Sequence, residues 1–226
     1  MNLVSFLKTV PLFGGLTTGQ YDDLAMITTM QDYRRGQEIF AEGDPGTGFF
    51  VVMEGLVKIY KLSVEGKEQI LHIFGPGEPF AEAAVFTGTT FPAHALALEK
   101  SRVLFLPRRA FIDLIQQNPS LAMNMLAALS MRLKKFAHLI EDLSLKEVPG
   151  RLAAHLLYLS EQQGEAETVK LNISKAQLAS LLGTIPETLS RILARLARQG
   201  LLAIDGPQIT ILDRDSLADL AMGEKL

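Results

Sequence analysis

The chain has 226 residues, 48% hydrophobic and 21% charged, enough core for one large or two modest globular domains and too apolar for a disordered chain. A formal net charge of −3 lends no general support to nucleic-acid binding, so any such surface must be local. The absence of cysteine excludes disulfides, thiolate zinc sites and cysteine-ligated iron–sulfur clusters within the chain.

Residues 1–27 read as short helical pieces broken by Pro11, Gly14 and Gly15. This opening stretch lacks a basic region ahead of a long apolar run, so no signal peptide is expected. No apolar run in the chain approaches the ~20 residues of a membrane span, and a cytoplasmic protein without membrane contact is expected. From about 28 to 107, short apolar runs of strand length alternate with turn signals such as Glu42-Gly-Asp-Pro-Gly46 and Gly75-Pro-Gly77. That texture predicts a small antiparallel sandwich or barrel, with a hairpin of 56–62 and 69–74 around Val64-Glu65-Gly66.

From 108 the period becomes helical. Arg108 to Gln117 reads as a short helix, and Asn118-Pro119 starts a longer one that runs to about 144. Ala122, Leu126, Leu129, Leu133, Phe136, Ile140 and Leu143 recur at alternating spacings of four and three, an a/d seam of about three heptads. One stripe would suffice for packing on its own domain. Met123, Met125 and Leu139 add apolar surface beyond it, which points to a parallel two-fold homodimer through this helix. Pro149 and Gly150 interrupt the pattern and mark a hinge over 146–150, after which 151–162 resumes as a helix and 168–172 alternates like a short strand.

Residues 173–200 carry the strongest signal. Ser174 caps a first helix, Gly183 supplies a tight turn of positive φ, and Thr184 with Glu187 reads as a capping box opening a second helix with Pro186 in its first turn. Leu189, Ile192, Leu193 and Leu196 form its inward face, while Arg191, Arg195 and Arg198 lie on another. Between Thr168 and Gly200 there are five Lys or Arg, including Lys175, against one acid, Glu187. A solvated face would explain three arginines, but the glycine turn and the cap make a helix-turn-helix on DNA the better reading. Leu201 to Ile204, Asp205-Gly206 and Gln208 to Leu212 read as a wing hairpin, and Asp213 caps a terminal helix.

In this order the chain resembles the CRP/FNR superfamily of transcription regulators over nearly its full length. Gly77-Glu-Pro-Phe-Ala-Glu82-Ala-Ala-Val-Phe86 is similar to that family's phosphate-binding cassette, Val148-Pro-Gly150-Arg151-Leu152 to its hinge, and Glu187-Thr-Leu-Ser190-Arg191 to the Glu-x-x-Ser-Arg reader of the fumarate-nitrate type. The resemblance implies an α+β chain. Its parts are a cyclic-nucleotide-binding-like β-barrel of jelly-roll (double-stranded β-helix) form over 1–117, a dimerisation helix over 118–146 and a winged helix-turn-helix over 147–226. It further implies double-stranded DNA and RNA polymerase as partners and a TTGA-N6-TCAA-like palindrome. Glu187, Thr188, Ser190, Arg191, Arg195 and Lys175 would then be the DNA-contacting residues. Arg191 would bond guanine, Glu187 would accept from cytosine, and Ser190 would lie near a thymine.

Departures from the family narrow the signal. Where cyclic-nucleotide binders carry an Arg-Ser or Arg-Thr pair for the phosphate, this chain has Pro92 and Ala93, and where they place two polar residues for the base it has Phe136 and Ala137. Cyclic AMP is therefore not expected, and without cysteine neither is an iron–sulfur cluster. The Phe-Ala-Glu-Ala cassette and the Leu-Ser-Leu before the hinge resemble the dissimilative nitrate respiration regulators, which implies nitric oxide sensing through haem. An effector pocket of Phe80, Glu82, Phe91, Pro92 and Phe136 would take such a flat apolar group, and of the four histidines, His72, His94, His138 and His155, either His94, on the strand after the cassette, or His138, off the dimer seam, would be its axial donor. A small-anion sensor and a regulator needing no effector stay open. An enzyme is not expected, because no nucleophile–base pair, dinucleotide fingerprint or metal-ligand spacing is found.

Overall fold

The structure, a computed structural model, describes residues 2–223. The chain divides into two compact units, residues 1–133 and 134–226.

In the first unit, α1 (Leu3–Leu7) and α2 (Thr18–Ile27) precede eight strands: β1 (Thr29–Tyr33), β2 (Glu38–Phe40), β3 (Gly48–Glu54), β4 (Val57–Leu62), β5 (Glu68–Phe74), β6 (Pro79–Phe80), β7 (His94–Ala97) and β8 (Ser101–Pro107). They form two antiparallel four-stranded sheets of order β1-β8-β3-β6 and β2-β7-β4-β5. Of the two forms read from the sequence, the two-sheet sandwich is the one observed, in keeping with a jelly roll. The β4–β5 hairpin pairs Val57 with Phe74 and Leu62 with Glu68, around the turn foreseen at Val64-Glu65-Gly66.

Strand β3 shows why the layers stack this way. Its side chains alternate, and both faces are buried. Phe49, Val51 and Met53 join a core with α1, α2, Val85, α4 (Arg108–Gln117) and the start of α5 (Pro119–Leu145). Phe50 and Val52 face the other way, into a core between the sheets.

One element was not anticipated. Glu82–Thr87 is a short helix, α3, inside the stretch read as strands, and Ala81 before it has φ of 65°, a left-handed conformation that costs a residue with a Cβ. The apolar run Ala83-Ala84-Val85-Phe86 fits a buried strand as well as a helix turn, so its pattern does not distinguish them.

The second unit contains the last part of α5, then α6 (Val148–Gln162), β9 (Thr168–Lys170), α7 (Lys175–Leu181), α8 (Pro186–Arg198), β10 (Leu202–Asp205), β11 (Gln208–Ile211) and α9 (Arg214–Met222). Its sheet has the order β10-β11-β9 and its core is one cluster, mainly of leucines, with isoleucines, a valine and the alanines Ala153 and Ala179. The expected hinge needs correcting. The chain breaks at Lys146 and Glu147, whereas Pro149 and Gly150 lie in the first turn of α6. Pro149 is tolerated there because an N-terminal amide has no helical acceptor to lose. Gly150 is a packing residue: a Cβ on it would stand 2.9 Å from the carbonyl oxygen of Leu220 in α9. Arg151 bridges the break, its guanidinium donating to the carbonyl oxygens of Leu143 and Lys146 at 3.2 and 3.1 Å.

Candidate nucleic-acid interface and the interior of the sandwich

In the second unit, α7 starts at a complete capping box: Ser174 accepts from the Gln177 amide and Gln177 Oε1 from the Ser174 amide. Gly183 turns the chain with φ of 67°, as its place in the sequence required. Helix α8 follows with Leu189, Leu193 and Leu196 buried in the unit's core. Those three anchors fix its rotation, so its other face is presented to solvent.

On that face Glu187, Ser190, Arg191 and Arg195 are exposed, and Thr188 is half-buried, accepting a hydrogen bond from the Arg191 guanidinium at 3.1 Å. Lys175 is exposed in the first turn of α7. The capping box expected of Thr184 and Glu187 is absent. The N-cap of α8 is Ile185, which has no side-chain capping bond. The Glu187 side chain makes no hydrogen bond or ion pair with another described residue, so its carboxylate is not committed to the helix start. The β10–β11 hairpin turns at Gly206–Pro207, one residue later than expected because Asp205 pairs with Gln208 as the last residue of β10; Gly206 has φ of 57°, and Asp213 caps α9 by accepting from the Ser216 amide. What this arrangement can do is insert the first turns of α8 into a groove, with polar and cationic side chains leading.

Along α5, Leu126, Leu133 and Ile140 of the expected seam are 57%, 70% and 64% exposed, and Leu129, Phe136 and Leu143 are half-buried. An exposed apolar stripe of that length is the pattern that a facing helix would cover.

The interior of the sandwich is closed. Phe80 and Phe91 are buried together with Phe40, Phe50 and Phe74. The ring of Phe91 stacks on Phe40 at 3.9 Å, and Phe80 on Phe50 at 5.2 Å. Glu82 is buried at the start of α3, and its carboxylate is met by the guanidinium of Arg132 on α5, which also donates to the carbonyl oxygen of Pro79 at 2.6 Å and lies 4.8 Å from the Phe74 ring centroid. Glu82 Oε2 has no hydrogen-bond partner among the described residues. Pro92 is exposed, and its carbonyl oxygen accepts from Lys61. Arg132 and three of the five phenylalanines were missed by the sequence reading. Arg132 carries no motif, and its spacing from Glu82 follows only once the helix is laid against the sandwich.

Neither histidine named as a haem donor sits in an open apolar slot. His94 Nδ1 accepts the Glu42 amide at 3.3 Å, its ring stacks on Tyr60, and it faces the carboxylates of Glu38 and Glu42 at 3.8 and 4.0 Å. His138 is exposed beside Glu141. With Phe80 and Phe91 packed on their neighbours, the residues of the first unit do not fit a haem macrocycle in this conformation. His155, on α6, is held neutral by burial, its pKa lowered to about 4. Among the described residues no cluster of three or more His, Asp or Glu could hold a metal ion, and no helix is long and apolar enough to cross a membrane.

Comparison with known proteins agrees with this geometry. Residues 30–118 match the cyclic nucleotide-binding domain family, and residues 150–220 the Crp-like helix-turn-helix domain family. The chain is 32% identical over 217 residues to the cyclic AMP receptor protein of Thermus thermophilus, covering 96% of this chain and 99% of that one. It is 32% identical over 200 residues to the fumarate and nitrate reduction regulatory protein of Escherichia coli, covering 87% and 80%. The crystal structure of FixK2 from Bradyrhizobium japonicum superposes with a TM-score of 0.76 at 26% identity, covering 88% of this chain and 99% of that one. The matched families and relatives are regulators and not enzymes.

Proposed function

The chain belongs to the CRP/FNR family of DNA-binding transcription regulators, and from that premise we propose that it works in the cytoplasm as a homodimer paired along α5 and reads a TTGA-N6-TCAA-like palindrome with α8. One observation carries the reading. Glu187, Ser190 and Arg191 share the exposed face of the first two turns of α8, while Leu189, Leu193 and Leu196 anchor the opposite face. Arg191 pairs with guanine O6 and N7, Glu187 accepts from cytosine N4, and Ser190 lies against the neighbouring thymine. Thr188, Arg195 and Lys175 supply the phosphate contacts that fix the register. Leu126, Leu129, Leu133, Phe136, Ile140 and Leu143 form the dimer seam, which sets the two reader helices one DNA turn apart, about 34 Å. Contact with RNA polymerase rests on family likeness alone.

The test is salt-titrated binding of the full chain to that palindrome and to a scrambled duplex of equal length. A preference of at least about a thousandfold is expected, and equal binding would remove the reading.

For the signal, the likeness of the Phe-Ala-Glu-Ala cassette to the nitrate respiration regulators favours nitric oxide sensing by haem, a reading that requires the packed phenylalanines of the sandwich to open, since as they stand they leave no room for the macrocycle. A second reading, a regulator that needs no bound effector, is favoured by the packed phenylalanines and by Arg132 on Glu82. Titration with haem separates them. A saturable Soret band, one per subunit and shifted by nitric oxide, supports the first. Palindrome binding by haem-free protein with no such band supports the second.

A further inference from the structure

Among the described residues Phe86 is the single exposed phenylalanine, 45% exposed where every other one is buried or half-buried. It stands on α3 four residues after Glu82, so the two side chains share one face of that helix. Glu82 meets Arg132 of α5 from this face. Phe86 therefore lies beside the same flank of α5, one turn further along α3.

Burial along α5 identifies the flank. In the register of the seam, Leu126 and Leu133 take a positions and Leu129 a d position, which puts Met125 and Arg132 at g and Met123 and Ser130 at e. Met125 is buried in the core of its own unit, and Arg132 is spent on Glu82. The sandwich thus covers the g edge of its own helix. The e edge is bare: Met123 is 66% exposed, and Ser130 and Ala127 beside it are exposed too. Phe86 and Met123 of one chain lie on opposite flanks of α5 and do not meet. In a parallel pair of helices, however, the g edge of one faces the e edge of the other. Two-fold pairing along α5 brings Met123 of the partner subunit over the flank where Phe86 is exposed.

We infer that Phe86 is a dimer contact outside the helix seam, its ring packing on the e edge of the partner subunit's α5 against Met123. The inference rests on the reading of α5 as a dimer seam and uses residues of the first unit alone. Two features favour a second copy as the occupant. The patch continues the exposed seam at Leu126 and Leu133, so it needs no separate partner. Its two members also suit each other, since a thioether gains from contact with an aromatic ring and a bare aromatic side chain is the type that anchors protein interfaces.

The chain has no cysteine, so introduced cysteines report single contacts. Tagged Phe86→Cys is co-expressed with untagged Met123→Cys, and the purified full-length protein is oxidised mildly. A disulfide requires the two Cα atoms to approach within about 7 Å, and the tag gives the mixed species its own mobility. A mixed cross-link is expected. Phe86→Cys with Met131→Cys, exposed at an f position on the outer side of α5, should give none. Sedimentation adds the energetic arm. Phe86→Ala is expected to weaken the dimer at least about tenfold, and Phe86→Leu to keep most of the affinity. In a Met123→Ala background Phe86→Ala should cost much less, because both changes remove one interaction. A wild-type dimer that gives no Phe86–Met123 cross-link and ignores Phe86→Ala overturns the inference and leaves the seam standing. Equal cross-linking to Met123 and Met131 overturns it as well. A wild-type chain that stays monomeric at micromolar concentration overturns the seam and, with it, this contact.

Discussion

The guanidinium of Arg132 on α5 meets the buried carboxylate of Glu82 at the start of α3, joining the long helix to the sandwich through two side chains that are 19% and 2% exposed. Removing the cation leaves a carboxylate with no route to water. Arg132→Met is expected to cost about 3 kcal/mol of stability in the first unit, and the double variant with Glu82→Gln to recover more than half, because a neutral amide tolerates burial better than an orphaned charge. Chemical denaturation of the single and double variants measures it. Additive losses would mean that the pair is not coupled.

Arg191→Ala is expected to cost about 1–3 kcal/mol on the palindrome and little on scrambled duplex. A uniform loss on all sequences would make Arg191 a phosphate contact instead. Glu187→Gln is expected to relax selectivity at one base pair while leaving the melting temperature unchanged, since no capping bond is lost. Binding to a panel of singly substituted half-sites reads both.

Leu126→Glu and Ile140→Glu place charges in the proposed seam and are expected to yield monomers at micromolar concentration, with palindrome binding lost by at least about a hundredfold. Met131, 69% exposed but off the seam, is the control. Sedimentation should show Met131→Glu as a dimer, and a dimeric Ile140→Glu would argue against pairing along this stripe.

His155 gives the second unit an acid sensitivity. Its folded pKa of about 4 lies below the ordinary histidine value of 6.5, so the unfolded chain binds the proton first. Stability is therefore whole above pH 6.5 and falls as pH drops through 6.5 towards 4. The full shift is worth about 3 kcal/mol, and the residue's remaining solvent exposure trims this to about 2 kcal/mol. Melting curves of wild type and His155→Gln at pH 7.5 and 5 test it: the variant should lose less between the two.

Gly150→Ala opposes two effects. Alanine favours the helix by about 1 kcal/mol, but its Cβ would stand 2.9 Å from the Leu220 carbonyl oxygen, and overpacking costs about 1–3 kcal/mol. Net destabilisation of the α6–α9 packing is expected, seen as a lower melting temperature for the second unit. A higher one would show that α9 yields without strain.

Much of this was legible in advance because the signals were local. Gly183 and Gly206 turn the chain by their own backbone, and Ser174 and Asp213 cap their helices by side chains that reach only three residues on. The inner face of α8 follows from its leucine spacing. What escaped reading depended on distant partners. Phe80 and Phe91 read as pocket lining because nothing in their neighbourhood in sequence announces Phe40 and Phe50. Thr184 and Glu187 have the spacing of a capping box, but the helix begins one residue later than that motif requires. Gly150 read as a hinge because glycine interrupts helices, and only the approach of α9 shows that its missing side chain is what matters.

Arg151 holds the end of α5 to the start of α6 by bonding the carbonyls of Leu143 and Lys146, while its own Nε is buried without a hydrogen-bond partner among the described residues and burial lowers its pKa. A joint closed by one guanidinium opens in one event. The amides of the last turn of α5 and the first turn of α6 should then exchange with solvent as a single unit, at one rate set by one opening free energy. Deuterium uptake across the break would rise in step on both sides when Arg151 is replaced by glutamine, which makes the joint a place where order is gained or lost whole and not by gradual bending.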